Sequence, residues 1–465
     1  MNLLDSSIRV LSQKLRSKEV SPVELASASL AAAKSHQPKT NAYITLLDEN
    51  AVLDQAKTVK LTTPLSGLPY VLKDTFLTQG VKTTSASNVL KNYSPQYSAT
   101  VVNKLSQAGG IMIGKCNQDA WGHGGSTENT DFGCAKNPWD LKRVTGGSSG
   151  GPAASIACRD SMFAIGEDTG GSIRNPAGWC NISGLKVTYG RVSRYGCIAY
   201  ASSFDTVGPM AKSVEDLAFV LGEIAGIDPY DATSSPQPVG DYLSGINQGV
   251  KNLKIGLPKE FFNDGLDPQV KNLIVKAASE YEKLGARIVD VSLPMIKYAI
   301  SVYYLLAPSE TSSNLGRYDG IRYGNGRENF TQETIRRIMV GTYALSAGYY
   351  DAYYKKAQQA RTLIINDFQK AFSSCDLILS PISPTPATLI GELISDPVKN
   401  LLADIYTVTT NPAGIPSLAI PCGFTGQKLP VGMQLQGPMF SESLLLKAGY
   451  TYQQVTNWHE SKPTL

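Results

Sequence analysis

Thr145-Gly146-Gly147-Ser148-Ser149-Gly150-Gly151-Pro152, followed by small and apolar residues from Ala153 to Ala157, is the densest unusual stretch of this chain. Glycines on both sides of two serines remove the steric obstacles to close backbone approach, and the Ala-rich continuation predicts a helix, so hydroxyls and N–H groups gather near its start. A phosphate cradle has the same look. The stretch lacks the Lys that follows the glycine of a P-loop, which argues against a nucleotide site.

Downstream lies Asp168-Thr169-Gly170-Gly171-Ser172-Ile173-Arg174-Asn175-Pro176. Ser172 after two glycines can expose its Oγ, while the N–H groups of Thr169, Gly170 and Gly171 converge on one nearby point. Acyl transfer needs such donors, each worth ~3 kcal/mol of barrier. An ordinary glycine turn is the plainer reading of the same residues.

A nucleophilic serine needs a proton acceptor, and histidine is scarce. Of three histidines, His36 falls in a polar connector and His459 in a polar tail, so a Ser-His-Asp triad would rest on His123 alone, and a histidine metal site is not expected. Lysine can serve where burial favours its neutral form. Lys73, at the end of the apolar run Tyr70-Val71-Leu72, is delivered toward the interior; a snorkelling surface lysine is the alternative.

The surrounding pattern is that of one large α/β domain with helices on both faces of a sheet. Helical spacing at Ile8, Leu11 and Leu15 and the start signal Ser21-Pro22-Val23-Glu24 open the chain with two helices. Gly110-Ile111-Met112-Ile113-Gly114 reads as a buried strand. Lys254 to Leu257, a helix over Asp267 to Leu284, and Ala286 to Val289 form a β-α-β unit; a tyrosine-rich helix spans Tyr349 to Phe372, and the strand Leu377 to Leu379 is stopped by prolines. The domain divides into N-terminal helices over about 4–60, a catalytic core over about 65–215 and a C-terminal portion over about 250–465.

Composition narrows the function. With 465 residues, 42% apolar and 18% charged, the chain can bury a large core, and a net charge of +4 without a basic block argues against wrapping nucleic acid unaided. No run of ~18 apolar residues is present, so a soluble protein without a membrane span is expected. Seven scattered cysteines without a C-x-x-C pair suggest reduced, structural thiols.

Taken together and in order, Lys73, Gly-Gly-Ser148-Ser-Gly-Gly and Asp-Thr-Gly-Gly-Ser172-Ile-Arg resemble the amidase signature family over nearly the whole chain, as far as Leu429 to Pro438. The resemblance implies a Ser-Ser-Lys triad: Ser172 the acylated nucleophile, Ser148 the bridging hydroxyl and Lys73 the base. It implies a cis peptide between Gly147 and Ser148, with Ser149, Asp168 and Arg174 in support, and leaves His123 without a catalytic role.

Within the family the chain is most similar to the glutaminase subunits of tRNA-dependent amidotransferases, through Gly125 to Thr130, Gly184 to Gly196, Asn314 to Gly324 and Arg336 to Tyr354. By that resemblance Arg337 clamps the α-carboxylate of glutamine, Asp404 meets its ammonium, and Tyr303 lines the pocket, with Tyr304 and Arg336 as neighbouring registers. The partner implied is a B-type subunit, with or without a small third subunit, which activates Glu-tRNA(Gln) with ATP and Mg²⁺ and binds most of the tRNA; no metal or organic cofactor is implied in this chain.

The sequence departs from the pattern at Gln118-Asp119-Ala120-Trp121 and in a short connector from Gly324 to Arg336, both of which bear on how the pocket opens to its partner. These departures and the basic, amphipathic first helix favour a mitochondrion over a bacterial cytoplasm. Two rivals stand beside the glutaminase reading: a stand-alone amidase acting on another small amide, and a catalytically silent assembly protein.

Overall fold

The computed structural model describes residues 3–465. Eleven strands form one mixed sheet. From one edge to the other they are Tyr43–Leu46, Ile111–Cys116, Pro69–Lys73, Phe163–Asp168, Thr206–Ala211, Ser183–Lys186, Ser417–Phe424, Pro430–Gln436, Leu377–Pro381, Lys254–Pro258 and Arg287–Val291. Two parallel groups carry the fold's logic. Pro69–Lys73 lies parallel to both of its neighbours, and Lys254–Pro258 lies parallel to Arg287–Val291 and Leu377–Pro381; the strands between run antiparallel.

The helices cover both faces, as the sequence predicts. Ser21 caps helix Pro22–Thr40 in a reciprocal capping box with Glu24, and Asp267 caps Pro268–Lys283 with Pro at its first position. That second helix links the parallel strands Lys254–Pro258 and Arg287–Val291, completing the β-α-β unit.

Two expectations are corrected here. His36 is not in a connector: helix Pro22–Thr40 runs through it and through Pro38, and its Nδ1 lies 2.6 Å from Asp160 Oδ1. The tyrosine-rich helix begins later than expected, with a π-turn over Asp351–Lys355 leading into an α-helix over Lys356–Phe372.

The core splits into two layers of side chains, one on each face of the sheet. The larger joins Leu72, Phe163, Ile165, Val207, Leu418 and Leu435; the other joins Val71, Ile113, Ala164, Met210 and Ala419. Alternate residues of the same strands thus feed opposite layers, the period-2 pattern of a sheet buried on both sides. All seven cysteines are unpaired. No helix among the described residues is long and apolar enough to cross a membrane.

Candidate active site

Strand Pro69–Lys73 sits between two parallel neighbours, in register Lys73 with Cys116 and Leu72 with Ile165. Its last residue therefore emerges at the same carboxyl end as Glu167 and Asp168, the end where parallel sheets display ligand-binding groups. Lys73 is fully buried, and its Nζ donates to Ser148 Oγ at 2.6 Å, to Glu167 Oε2 at 2.8 Å and to the Glu167 carbonyl at 3.3 Å. The snorkelling alternative is excluded.

The two glycine-rich segments close around that lysine. The peptide between Gly147 and Ser148 is cis, in line with the resemblance. Helix Gly150–Ala157 follows, its first turn pressed so closely to its surroundings that a Cβ on Gly151 would stand 2.4 Å from the Ala42 and Asn117 carbonyls. Ser149 ties the segments together. Its N–H donates to the Ser172 carbonyl at 3.1 Å, and its Oγ donates to the Glu167 carbonyl at 3.3 Å.

Ser172 is only 6% exposed, and its hydroxyl has no hydrogen-bond partner among the described residues. Its loop is set by Asp168, which accepts from the N–H groups of Gly171 at 2.9 Å and Ile173 at 3.1 Å and from Arg174 at 3.0 and 3.1 Å. Burial pushes the Asp168 carboxyl up, but Arg174's charge and hydrogen bonds outweigh it and bring it to about 2. Arg174 in turn reaches the Thr407 carbonyl, Gln434 Oε1 and Asn411 Oδ1 at 2.8–3.0 Å, fastening the loop to the C-terminal portion.

That arrangement corrects the expected oxyanion site. Gly171's N–H is already given to Asp168, so of the three amides expected to converge, those of Thr169 and Gly170 lack an acceptor among the described residues; the N–H of Ser172 joins them. Gly170 and Gly171 have a different necessity. A Cβ on Gly170 would stand 2.5 Å from Tyr303 Cζ, and one on Gly171 would stand 2.3 Å from Thr407 Oγ1.

Both tyrosine registers are in the pocket. Tyr303 lies over Gly170 and donates to the Tyr200 hydroxyl at 3.3 Å, while Tyr304 donates to Asp404 Oδ2 at 2.9 Å. Of the two arginine registers, Arg337 is the one turned toward these tyrosines. It is buried, donates to Tyr200 Oη and, at 2.7 Å, to Glu333 Oε1, and lies over the rings of Tyr200 and Tyr304. Arg336, on the same helix, Gln332–Leu345, faces outward and shares Glu333. Asp404 is buried, and burial raises its carboxyl to about 7 against the opposing effects of Tyr304 and Arg337. A Cβ on Gly125 would stand 3.3 Å from Asp404 Oδ1, so the Gly125–Thr130 motif borders the same pocket.

His123 is buried with both ring nitrogens engaged, 3.2 Å from Thr334 Oγ1 and 3.2 Å from Thr311 Oγ1. Burial and the Arg337 charge hold it far below its ordinary value, so it stays neutral. Asp119, in the departing Gln118–Trp121 run, accepts from the N–H groups of Thr127 and Asn129 and crowds Gly147, where a Cβ would stand 2.2 Å from Asp119 Oδ2. Trp121 packs on Tyr318 and Phe330, ring centroids 4.7 and 5.5 Å away, tying its run to the chain before and within the short connector.

The sequence did not reveal Tyr200, Glu333, Glu167 or Asp205. Tyr200, Glu167 and Asp205 enter by non-local hydrogen bonds rather than by a motif, and Glu333 by helical bonds to Arg336 and Arg337 three and four residues on. Glu167 had a second, local sign: it precedes Asp168 in the second glycine-rich segment.

A buried amine bonded to one serine, beside a second serine with a free hydroxyl and unclaimed amides, is a site that can carry acyl-transfer chemistry on an amide. The chain belongs to the amidase family, whose model matches residues 24–446. It is 50% identical over 487 residues to the A-type subunit of the glutamyl-tRNA(Gln) amidotransferase of Carboxydothermus hydrogenoformans, with 100% of both chains covered. Among solved structures, it is similar to the corresponding glutamyl-tRNA(Gln) amidotransferase protein of Thermotoga maritima, at a TM-score of 0.87 and 38% identity, covering 98% of this chain and 97% of that one. The native peptide amidase of Stenotrophomonas maltophilia shares the fold at a TM-score of 0.84 and 28% identity, covering 97% of each chain.

Proposed function

We propose that this chain is the glutaminase component of a glutamyl-tRNA(Gln) amidotransferase. Ser172 attacks the side-chain amide of glutamine, passing its proton to Ser148 as Ser148 passes its own to Lys73. The amides of Thr169, Gly170 and Ser172 receive the negative charge that develops on the carbonyl oxygen. The proton returns through Ser148 to the departing nitrogen, leaving a glutamyl ester on Ser172 that water resolves to glutamate. Ammonia passes to a B-type partner, which activates Glu-tRNA(Gln) with ATP and Mg²⁺ and forms Gln-tRNA(Gln), with or without a small third subunit.

The observation that carries this reading is the 2.6 Å hydrogen bond between buried Lys73 and Ser148, set against the Ser172 loop. Substrate choice is supported by the pocket's charges. Free glutamine presents an α-carboxylate and an α-ammonium, and Arg337 and Asp404 supply one fixed cation and one fixed anion bridged by Tyr304. The near-balance of charge, +4 over the chain, suits a protein that leaves most of the tRNA to its partner. Full-length likeness to bacterial relatives favours the bacterial cytoplasm over the mitochondrion that the basic first helix suggested.

The test is the purified complex with Ser172→Ala. It should lose glutamine-dependent amidation and keep amidation with added ammonium. No change in either would indicate an assembly role, and unaltered amide hydrolysis in Arg337→Ala and Asp404→Ala would favour a stand-alone amidase.

A further inference from the structure

Behind Lys73 lies a row of buried acidic groups that the triad alone does not use. Glu167 Oε2 faces Lys73 Nζ at 2.8 Å. On its other side, Thr169 Oγ1 contacts both Glu167 Oε1 and, at 2.7 Å, Asp205 Oδ1. Asp205 also accepts from the N–H groups of Tyr200 and Ala201, each at 3.0 Å. All four side chains are at least nine-tenths buried.

Hydrogen counting makes this row informative. A threonine hydroxyl has one hydrogen and cannot give it to two carboxylates at once. A second hydrogen must therefore sit on one of the carboxyl groups, donating to the Thr169 lone pair. Glu167 faces the Lys73 amine at 2.8 Å, whereas Asp205 has no cation at hydrogen-bond distance, so the second hydrogen belongs to Asp205. Burial and the neighbouring Glu167 charge raise the Asp205 carboxyl to about 8, in agreement.

The proposed mechanism has an unmet need at the same place. Lys73 can accept a proton from Ser148 only as a neutral amine, yet it faces a buried carboxylate that favours the ammonium. We propose that Glu167, held through Thr169 to a protonated Asp205, is the proton store of Lys73: it takes the lysine's extra proton and leaves a neutral amine against Ser148. This deepens the glutaminase reading and rests on it.

The step balances. One N–H bond of the Lys73 ammonium breaks, its electron pair stays on Nζ, and an O–H bond forms on Glu167 Oε2, so charges of +1 and −1 become zero on both. A buried, neutral pair avoids the cost of holding two ions away from water. Because Thr169 and the Asp205 hydrogen occupy the Oε1 side, the oxygen left to accept is the one facing Lys73. Glu167 thus acts through Lys73 as a positioning residue and touches no substrate.

The other groups near this row leave the assignment intact. Cys197 is half-buried beside Glu167 and Asp205, and desolvation with the neighbouring carboxyl groups holds its thiol well above the ordinary value. Arg194 acts on Asp205 from a distance, with its guanidinium 3.7 Å from Asp231. Asp119 feels Lys73 from the opposite side, and burial raises it to about 7.

The experiment is the pH profile of kcat/KM for glutamine hydrolysis in the full complex, comparing wild type, Glu167→Gln and Asp205→Asn. An infrared measurement of the protonated-carboxyl stretch at neutral pH accompanies it. Glu167→Gln removes the internal acceptor, so Lys73 can become neutral only by losing its proton to solvent, and the acid limb should move up by about one pH unit or more. The Asp205 component of the protonated-carboxyl band should be present in wild type and in Glu167→Gln and missing from Asp205→Asn, so that it appears in the wild type minus Asp205→Asn difference spectrum.

An unmoved acid limb in Glu167→Gln, with kcat merely lowered at every pH, overturns the proposal; so does the absence of a protonated-carboxyl band from the wild type minus Asp205→Asn difference spectrum. Should Ser172→Ala abolish hydrolysis while Glu167→Gln leaves the limb in place, the proton store falls and the glutaminase reading stands. Should wild type fail to hydrolyse glutamine, the proposed function falls, and the infrared band alone decides whether the carboxyl pair holds its extra hydrogen. Thr169→Val, which removes the bridging hydroxyl without a charge change, should shift the band, and an unchanged band in that variant also overturns the proposal.

Discussion

Tyr304 donates its hydroxyl to Asp404 Oδ2 at 2.9 Å, and the Arg337 guanidinium lies over the Tyr304 ring, 5.4 Å from its centroid. On the proposed function, the pair makes a buried carboxyl a pH-sensitive contact for the substrate's ammonium group. Burial raises Asp404 to about 7, while the Tyr304 bond and the Arg337 charge favour the ionised form.

A pH dependence of glutamine binding follows, and its sign is fixed. The carboxylate is present above about 7 and is lost as pH falls through that value, taking the α-ammonium's partner with it. KM for glutamine should rise about tenfold per pH unit below the inflection, as for any single required ionisation, with kcat much less affected. Tyr304→Phe removes one bond that favours the carboxylate, so its inflection should lie at higher pH. Steady-state kinetics across pH checks both, and a flat KM profile in wild type would exclude Asp404 from substrate binding.

Gly170→Ala should be damaging in a way that a second substitution relieves. The added Cβ would meet Tyr303 Cζ at 2.5 Å, forcing either the ring or the amide-bearing loop to move. A displacement near 1 Å in such a site costs on the order of 100-fold in rate. The double variant Gly170→Ala, Tyr303→Ala gives the new methyl room and should recover part of kcat. Equal kcat in the single and double variants would show that the ring is not what the glycine accommodates.

Much of this site was legible before the structure because it is local. Lys73, Ser148 and Ser172 sit in glycine-rich or strand-end segments whose composition betrays them. Gly171 shows the limit: its N–H was expected at the oxyanion, yet Asp168, three residues away, claims it, and side-chain competition for a backbone donor is invisible in a motif. The fold has a parallel case at Thr206–Ala211, a strand the sequence reading does not contain and which holds Gly208 and Pro209, residues disfavoured inside strands. The structure places them in a central strand because a Cβ at Gly208 would stand 2.1 Å from the Leu185 carbonyl, so close approach there selects glycine. Tyr200 and Asp205, brought in by tertiary contacts alone, carried no such mark.

Asp168→Asn should destabilise the whole chain as well as the loop. It leaves the fully buried Arg174 without its counter-ion, a loss of about 3–5 kcal/mol when one partner of a buried pair is removed. The wild-type carboxyl is lowered from 3.8 to about 2, so its contribution is fully present above 3.8 and disappears as pH falls through about 2. Urea unfolding at neutral pH should show the variant's deficit, and the deficit should shrink in acid. Equal midpoints at neutral pH would remove the pair from the stability of the fold.

A last prediction separates two lysines that resemble each other in sequence. Lys73 and Lys115 lie on adjacent parallel strands, and both are fully buried. Lys115 Nζ, however, donates to the Phe76 carbonyl at 2.7 Å and Thr83 Oγ1 at 2.9 Å and lies 3.3 Å from Asp74 Oδ1, with no serine among these partners. Its surroundings hold a cation in place, whereas those of Lys73 connect an amine to a hydroxyl. Lys115→Met should therefore lower the unfolding midpoint by stranding Asp74, at about 3–5 kcal/mol, while the folded fraction still hydrolyses glutamine. Lys73→Met should remove hydrolysis by about 1000-fold or more even where it folds, since the triad loses its base. Activity normalised to the folded fraction distinguishes them, and a comparable loss in both variants would mean that burial of the charge, not its link to Ser148, is what the reaction requires.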